Sequence, residues 1–377
     1  MEKVALEFGD AGKDIAKSLS AFVYAAGSIF AGGDEGVKMA RLEERDDGQR
    51  FEMKELINLS KWFDLPRPPP VDPTKKVKEI DLEGLAIDHE RNVMWLVGSH
   101  SLKRGKAEAG AGTAENLKEL GEVKSDANRF FLGCVRLRNE GGKLQLSADG
   151  PQPGDERAVQ LVGDETTNEL LDDIRSDELF RRFCMAHAGI PGKDNGVDIE
   201  GLACAPGGRV LVGMRGPVLR GVAVVLELAP IRVESATTKA DRMQLTAIGV
   251  GGRKYRRHFL DLGGNGIRDL CWDENGDLLV LAGPTAGLDA PPLIFRWRAA
   301  KEALGKASSD EEQFFWRAEG ALVVEPLGAD WQQEESGVDH AETITFIGNK
   351  KLAIGYDSPG TTRLRGPATV DVDILEL

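Results

Sequence analysis

The hexapeptide DLEGLA at residues 81–86 returns almost unchanged as DIEGLA at 198–203. Acidic residues are scarce inside apolar runs, so a second copy points to an internal repeat, and a repeat constrains the fold more than any single motif. Each copy runs into a short polar turn and then an apolar stretch that closes on glycine: DLEGLAID, HERN, VMWLVGSHS in the first and DIEGLACA, PGGR, VLVGMRGP in the second. The same order of events recurs as GIRDLCWD, ENGD, LLVLAGPTAG at 266–287 and as HAETITFI, GNKK, LAIGYDSPG at 340–360. A weaker copy, SLSAFVYAAGSIFAGGDE, occupies 18–35. Ser20, Glu83, Glu200, Arg268 and Glu342 hold the same place in the five copies.

Short apolar runs bounded by Gly, Asn, Asp and Pro are strands joined by tight turns. Further strand-like runs follow most copies, among them RFFLGCVRL at 129–137, AVVLELAP at 223–230 and PLIFRWR at 292–298. Three or four strands per unit, repeated in series, predict an all-β fold of the β-propeller type. Five markers predict five blades, starting near 18, 81, 198, 266 and 340, with six as the alternative, in a single domain over 1–377. The 117-residue gap between Glu83 and Glu200 carries Leu170, Leu171, Ile174, Leu179, Phe180 and Phe183 at helical spacing, which predicts a helical insertion around 155–190. A strand at 4–8 and another at 370–377 can pair to seal the ring and remove its free edges.

The chain carries 62 acidic against 48 basic residues, a formal charge of −14. Phosphate contacts need a surplus of Lys and Arg, so the balance argues against nucleic acid and against an anionic membrane as partners. With no apolar run long enough to span a bilayer and no secretory leader at MEKVALEFGD, the expected location is the cytoplasm. Cys134, Cys184, Cys204 and Cys271 are widely spaced and form neither a zinc motif nor a redox pair.

Residues two apart in a strand share a face, so Asp81 with Glu83, Asp198 with Glu200, and His340 with Glu342 are each expected to point one way. If the first strand of each unit is innermost, these side chains, with Arg268 and Asp269, converge on the axis. The start of a first strand and the end of a second emerge together, which adds Ser99, His100, Ser101, Arg215, Asp357, Asp34 and Glu35 around the mouth. One reading is a binding site for a small anionic ligand or a divalent metal: Glu83, Glu200 and Glu342 holding Ca²⁺ or Mg²⁺, Arg215 and Arg268 clamping a phosphate, and His100 moving a proton in metal-assisted hydrolysis of an ester or phosphoester. The other is a non-catalytic scaffold or protein-interaction propeller, in which Arg215 and Arg268 neutralise the glutamates in a structural ion network. A covalent nucleophile has little support, because no GxSxG elbow is present. His89, in a turn, and His258, after RKYRR, are expected at the surface, KYRRHF as a solvated hairpin face, and His187 after the insertion helix.

The pairs IEGLA with GMRGP, LGGNGIRDL with LAGP, and LEGLA with GSHS resemble the bacterial β-propeller family known as domain of unknown function 3616, loosely akin to phytase-like esterase propellers. The resemblance covers roughly residues 15–360 and implies a propeller, with no established activity to carry over. The last blade of that family tends to end in an Asp-Asp-Gly run. Here it reads YDSPG, and Asp357 alone keeps an acidic side chain there.

Overall fold

The computed structural model describes residues 2–45, 48–72, 74–148, 157–184, 189–234, 238–286, 292–306, 312–315, 324–326, 340–348 and 350–377. The fold is all-β and propeller-like. Each sequence repeat forms an antiparallel hairpin: Leu19–Ala25 with Ser28–Gly33, Leu82–Asp88 with Val93–Gly98, Asp198–Ala205 with Arg209–Gly216, Gly266–Trp272 with Leu278–Gly283, and His340–Phe346 with Lys351–Asp357. The first strand of each hairpin packs against the first strand of the next, and the last packs against the first. Those five strands therefore line a closed ring. Further strands extend each hairpin outward, so that the apolar faces of neighbouring sheets cover one another.

The outer edges are stitched together. Glu2–Glu7 pairs antiparallel with Thr369–Glu376, and Ala5–Glu7 also runs parallel to Arg50–Glu52. This merges the first and last units into one eight-stranded sheet. A hairpin of Pro230–Val233 and Asp241–Leu245, which lies between two strands of the third unit in sequence, instead joins the second unit's sheet through Val159–Leu161. Both devices occupy edges that would otherwise offer unpaired backbone groups.

All five first strands carry a β-bulge at the marker. The register slips between Leu19 and Ala21, Leu82 and Gly84, Ile199 and Gly201, Ile267 and Asp269, and Ala341 and Thr343. A bulge leaves one residue without a partner and re-aims its side chain. Here that residue is Ser20, Glu83, Glu200, Arg268 or Glu342. Just after the bulge the sheets come very close: a Cβ on Gly84 would lie 2.6 Å from Leu202 Cβ, and one on Gly213, across the third hairpin, 2.4 Å from Ile267 Cγ2. Glycine there is a consequence of the ring's tight axis.

Two sequence expectations are corrected. The insertion contains a helix at Glu169–Ser176, with Leu170, Leu171 and Ile174 buried and Asn168 accepting from the Leu171 amide at 2.8 Å. It is shorter than predicted, because Val159–Leu161 is a strand and Leu179 is exposed; residues 185–188, and so His187, lie outside the described residues. KYRRHF is not a solvated face: Tyr255–Asp261 is a buried strand, and His258 is fully covered, with Trp297 of the neighbouring sheet and Phe315 of the adjacent strand beside its ring. Its arginines are tolerated because Glu227 and Asp177 meet them at 3.0 and 2.8 Å. His89 is exposed in its turn. No helix among the described residues is long and apolar enough to cross a membrane.

Candidate functional site

The bulged markers open into a basin of about 610 Å³ at one end of the ring. Its floor comprises Ser20, Asp34, Asp81, Glu83, Asp198, Glu200, Arg215, Glu342 and Asp357, with Arg129 and Ser101 at one side. A strap formed by residues 102–107 and Leu120 lies over it, and Lys193 and Asp194 face the strap. In the strap a short pairing of Lys103–Arg104 with Val123–Lys124 carries the helix Thr113–Gly121. Lys103 Nζ reaches Glu79 Oε1 at 3.1 Å and Arg104 Nε reaches Asp194 Oδ2 at 2.6 Å, tying the strap to the ring.

Three buried arginines organise the floor. Arg129 donates from Nη2 to Glu79 Oε1 at 2.8 Å and to Asp81 Oδ1 at 2.9 Å, and from Nη1 to Ser101 Oγ at 3.0 Å. Arg215 Nη1 lies 2.8 Å from Glu200 Oε1 and 3.6 Å from Asp198 Oδ2. Arg268, behind the lining, bridges Glu200 Oε2 at 3.2 Å to Glu342 Oε2 at 2.5 Å. The third, fourth and fifth units are thus joined by one chain of alternating charge. Ser20, the neutral marker, donates instead to the Leu82 carbonyl of the second unit.

Glu83 stands apart from this chain. No hydrogen bond or ion pair joins it to a described residue, and burial, followed by the fields of Asp81, Glu200, Asp34 and Asp198, holds its carboxyl well above the usual range. Asp34 is similar: its Oδ1 is buried with no hydrogen-bond partner among the described residues, and burial, with Asp357 and Asp81 nearby, pushes it up to about 7. Burial also pushes Asp198 up to about 7 and Glu342 up to about 8, and raises Asp357 against the pull of Lys193. Near neutral pH the floor therefore mixes carboxylates with carboxylic acids, which can donate hydrogen bonds as well as accept them.

The sequence-predicted residues divide cleanly. Asp81, Glu83, Asp198, Glu200, Arg215, Glu342 and Asp357 are brought together around the basin, with Arg268 just behind them. His100 is not: it sits at φ 54° with Nδ1 2.9 Å from the Gly98 carbonyl and Nε2 2.9 Å from Asn168 Nδ2, and burial pushes it down to about 4. Both nitrogens are engaged, so His100 locks the insertion helix to the ring and is no proton carrier for the basin. Asp269 also points elsewhere, because the bulge at Arg268 breaks the alternation and turns the following side chain toward the next unit. There it accepts from Thr343 Oγ1 and the Ile344 amide at 2.8 Å each. His340 is half-buried opposite Asp357 in its hairpin and does not line the basin. Of the trio Glu83, Glu200 and Glu342, two members are held by arginine, and among the described residues no three His, Cys, Asp or Glu side chains converge as metal ligands.

Residues 18–373 match the sequence model of the family described as "Protein of unknown function (DUF3616)". The chain belongs to this family. No curated protein matches it. Among solved structures, it is similar to a putative oxidoreductase (glucose dehydrogenase) from Thermus thermophilus, at 13% identity and TM-score 0.37, covering 99% of this chain and 100% of that one. It is also similar to the PQQ-bound aldose sugar dehydrogenase of Streptomyces coelicolor, at 12% identity and TM-score 0.39 over 95% of each chain. An exo-β-1,3-galactanase from Clostridium thermocellum follows at 9% identity and TM-score 0.43, over 100% of this chain and 63% of that one. Likenesses this distant bear on neither ligand nor activity.

Sequence reasoning missed Arg129, Lys103, Arg104, Lys106 and Lys193. None lies in a repeated motif. Arg129 had one signal available, its place at the head of a third strand on the side where the first strands begin.

Proposed function

We propose that this member of the family is a five-bladed propeller whose axial basin binds a small polar molecule through an amine-bearing, cationic end seated against Glu83 and Asp34. The observation that carries the reading is the unequal pairing of charges. Arg129, Arg215 and Arg268 each already lie against two carboxylates, whereas Glu83 and Asp34 are acidic, half-buried and joined to no cation among the described residues, beside open space. A ligand ammonium would supply the missing charge. The five bulged hairpins in mutual contact support the blade count.

The structural-network reading of the axial charges is compatible with this and explains the arginines: they hold the floor in place, and the unpaired acids face the ligand. Clamping of a phosphate by Arg215 and Arg268 has less behind it, because an incoming anion would have to displace Glu200 or Glu342. Metal-assisted hydrolysis has less behind it, because Glu200 and Glu342 are held by arginine and both ring nitrogens of His100 by Gly98 and Asn168.

The test compares an amino sugar, its neutral parent sugar and the corresponding sugar phosphate by thermal shift, on the natural chain and on Glu83→Gln. A ligand present at about 100 times its Kd adds about 2.7 kcal/mol to the folded state. The amino sugar is expected to stabilise most, and Glu83→Gln to abolish the effect. Stronger stabilisation by the sugar phosphate would overturn the reading in favour of an anion site. Because the amine prefers ionised carboxylates, its affinity should rise with pH through the region near 7 where Asp34 titrates.

A further inference from the structure

The strap over the basin is built differently from the ring beneath it. Ser101 and Ala127, at its two ends, are buried, yet no residue between them is. Its helix, Thr113–Gly121, buries no side chain, and Leu117, Leu120 and Val123 are exposed. A helix this short, without a buried face, is marginal in water by itself. What holds it is bonding within the strap. Arg104 donates from Nη1 to the Leu120 carbonyl, and the Gly105 amide donates to the Glu122 carbonyl at 3.0 Å. The Asn116 side chain meets both the amide and the carbonyl of Glu108, at 2.9 and 3.0 Å. Gly105 lies so near the helix that a Cβ there would stand 2.3 Å from the Glu119 carbonyl oxygen. The strap is thus a body braced against itself.

Its ties to the ring are polar and lie at the rim. The short pairing of Lys103–Arg104 with Val123–Lys124 joins no sheet of the ring among the described residues. At one end the Gly192 amide donates to the Leu102 carbonyl at 3.0 Å, and at the other Lys78 Nζ lies 3.3 Å from Asp126 Oδ2. Between the ends, the pairs Lys103 with Glu79 and Arg104 with Asp194 act as latches. Lys103 and Asp194 are exposed and Arg104 is half-buried. Ion pairs so placed are weak and screened by salt. One carboxylate joins latch to floor: Glu79 Oε1 accepts from Lys103 and also from Arg129, the arginine that holds Asp81.

We propose that residues 102–126 are a lid. The strap swings as one piece about its buried ends, Ser101 and Ala127, parts Lys103 from Glu79 and Arg104 from Asp194, and admits the molecule that the basin takes. A segment with no buried side chain and weak ties is the kind that opens locally without unfolding the rest. Residues 102–107 and Leu120 line the basin, so a ligand that touches them favours the closed position and is sealed in by it. The inference rests on the basin being a binding site and holds whatever the charge of its ligand.

The experiment needs no ligand, so its failure is distinct from failure of the binding reading. Ser20→Cys places a thiol on the basin floor, and its rate of alkylation by iodoacetamide, a neutral reagent, reports access. Lys103→Met with Asp194→Asn removes both latches while keeping side-chain size. The introduced thiol should then react at least fivefold faster, while half-buried Cys204, at the far end of its strand from the basin, keeps its rate. High salt should accelerate the latched chain and leave the unlatched one unchanged. In the unsubstituted chain, hydrogen exchange should release the amides of 103–124 together, well before those of Leu82–Asp88. Equal alkylation rates with and without the latches would overturn the proposal, as would no reaction at the introduced thiol in either chain. So would acceleration at Cys204 as well, which would mean that the whole ring had loosened, or exchange of the strap no faster than that of the ring.

Discussion

Two clusters in this protein are built from the same residue types and do different things. At the axis, Glu200, Glu342, Arg215 and Arg268 surround a basin that also holds Glu83. Between the third and fourth sheets, Glu227 is sealed with Arg209, Arg256 and His258, at 2.6, 3.0 and 2.9 Å. Burial drives both Glu83 and Glu227 toward protonation. For Glu227 the bond from His258 and the fields of Arg209 and Arg256 more than offset burial and leave its carboxyl below the usual range; for Glu83 the neighbours are other acids, and it rises. Buried charge is therefore no sign of a site by itself. An acid without a counter-charge, beside empty space, is.

The sealed cluster should be the harder of the two to disturb. Glu227→Ala strands a buried arginine, Arg256, a half-buried one, Arg209, and buried His258, and breaking a buried pair by removing one partner costs about 3–5 kcal/mol. Urea unfolding should show a loss of that size. A loss below about 1 kcal/mol would mean that water reaches the cluster and that the contrast with the axis is weaker than drawn. At the axis, Arg268→Ala removes the bridge between Glu200 and Glu342, yet Glu342 already stands at about 8 and can take up a proton instead. The expected loss is smaller, about 1–3 kcal/mol, and larger at pH 9 than at pH 6, because at the lower pH protonation removes the repulsion.

This comparison also shows what could be read from the chain. The five markers and the mouth residues Arg215, Asp357 and Asp34 were legible, because a repeat projects equivalent positions to one place whatever the detailed backbone. Asp269 was misplaced because strict alternation holds only in an unbroken ladder, and the bulge at Arg268 leaves little trace in residue type: the following residue is Gly84 or Gly201 in two units but Asp269 or Thr343 in others. His258 was misread for another reason. A basic run looks solvated until its counter-charges are known, and Glu227 lies 31 residues from His258 and Asp177 80 residues from Arg257 in sequence. His100 looked reactive in SHS, yet its partner Asn168 comes from the insertion, 68 residues on. Pairing across long separations is what a single sequence conceals.

The smallest effect is the most discriminating. Glu83→Gln keeps the shape of the side chain and removes its titration. In the folded state Glu83, Asp34, Asp198 and Glu342 all hold protons to a higher pH than they do in the unfolded chain, so between roughly pH 4.5 and 8 the native state binds more protons and stability falls as pH rises. Buried, neutral His100 acts in the opposite sense at the acidic end, where the unfolded chain takes up the proton that the folded one refuses. Removing the Glu83 carboxyl should therefore change little at pH 5 and stabilise the chain at pH 8, by about 1 kcal/mol or less in unfolding experiments. Were Glu83→Gln instead destabilising at pH 8, Glu83 would be an ionised partner in the axial network like Glu200. The two clusters would then differ only in their access to solvent, and the basin would lose the unpaired acid on which its proposed ligand depends.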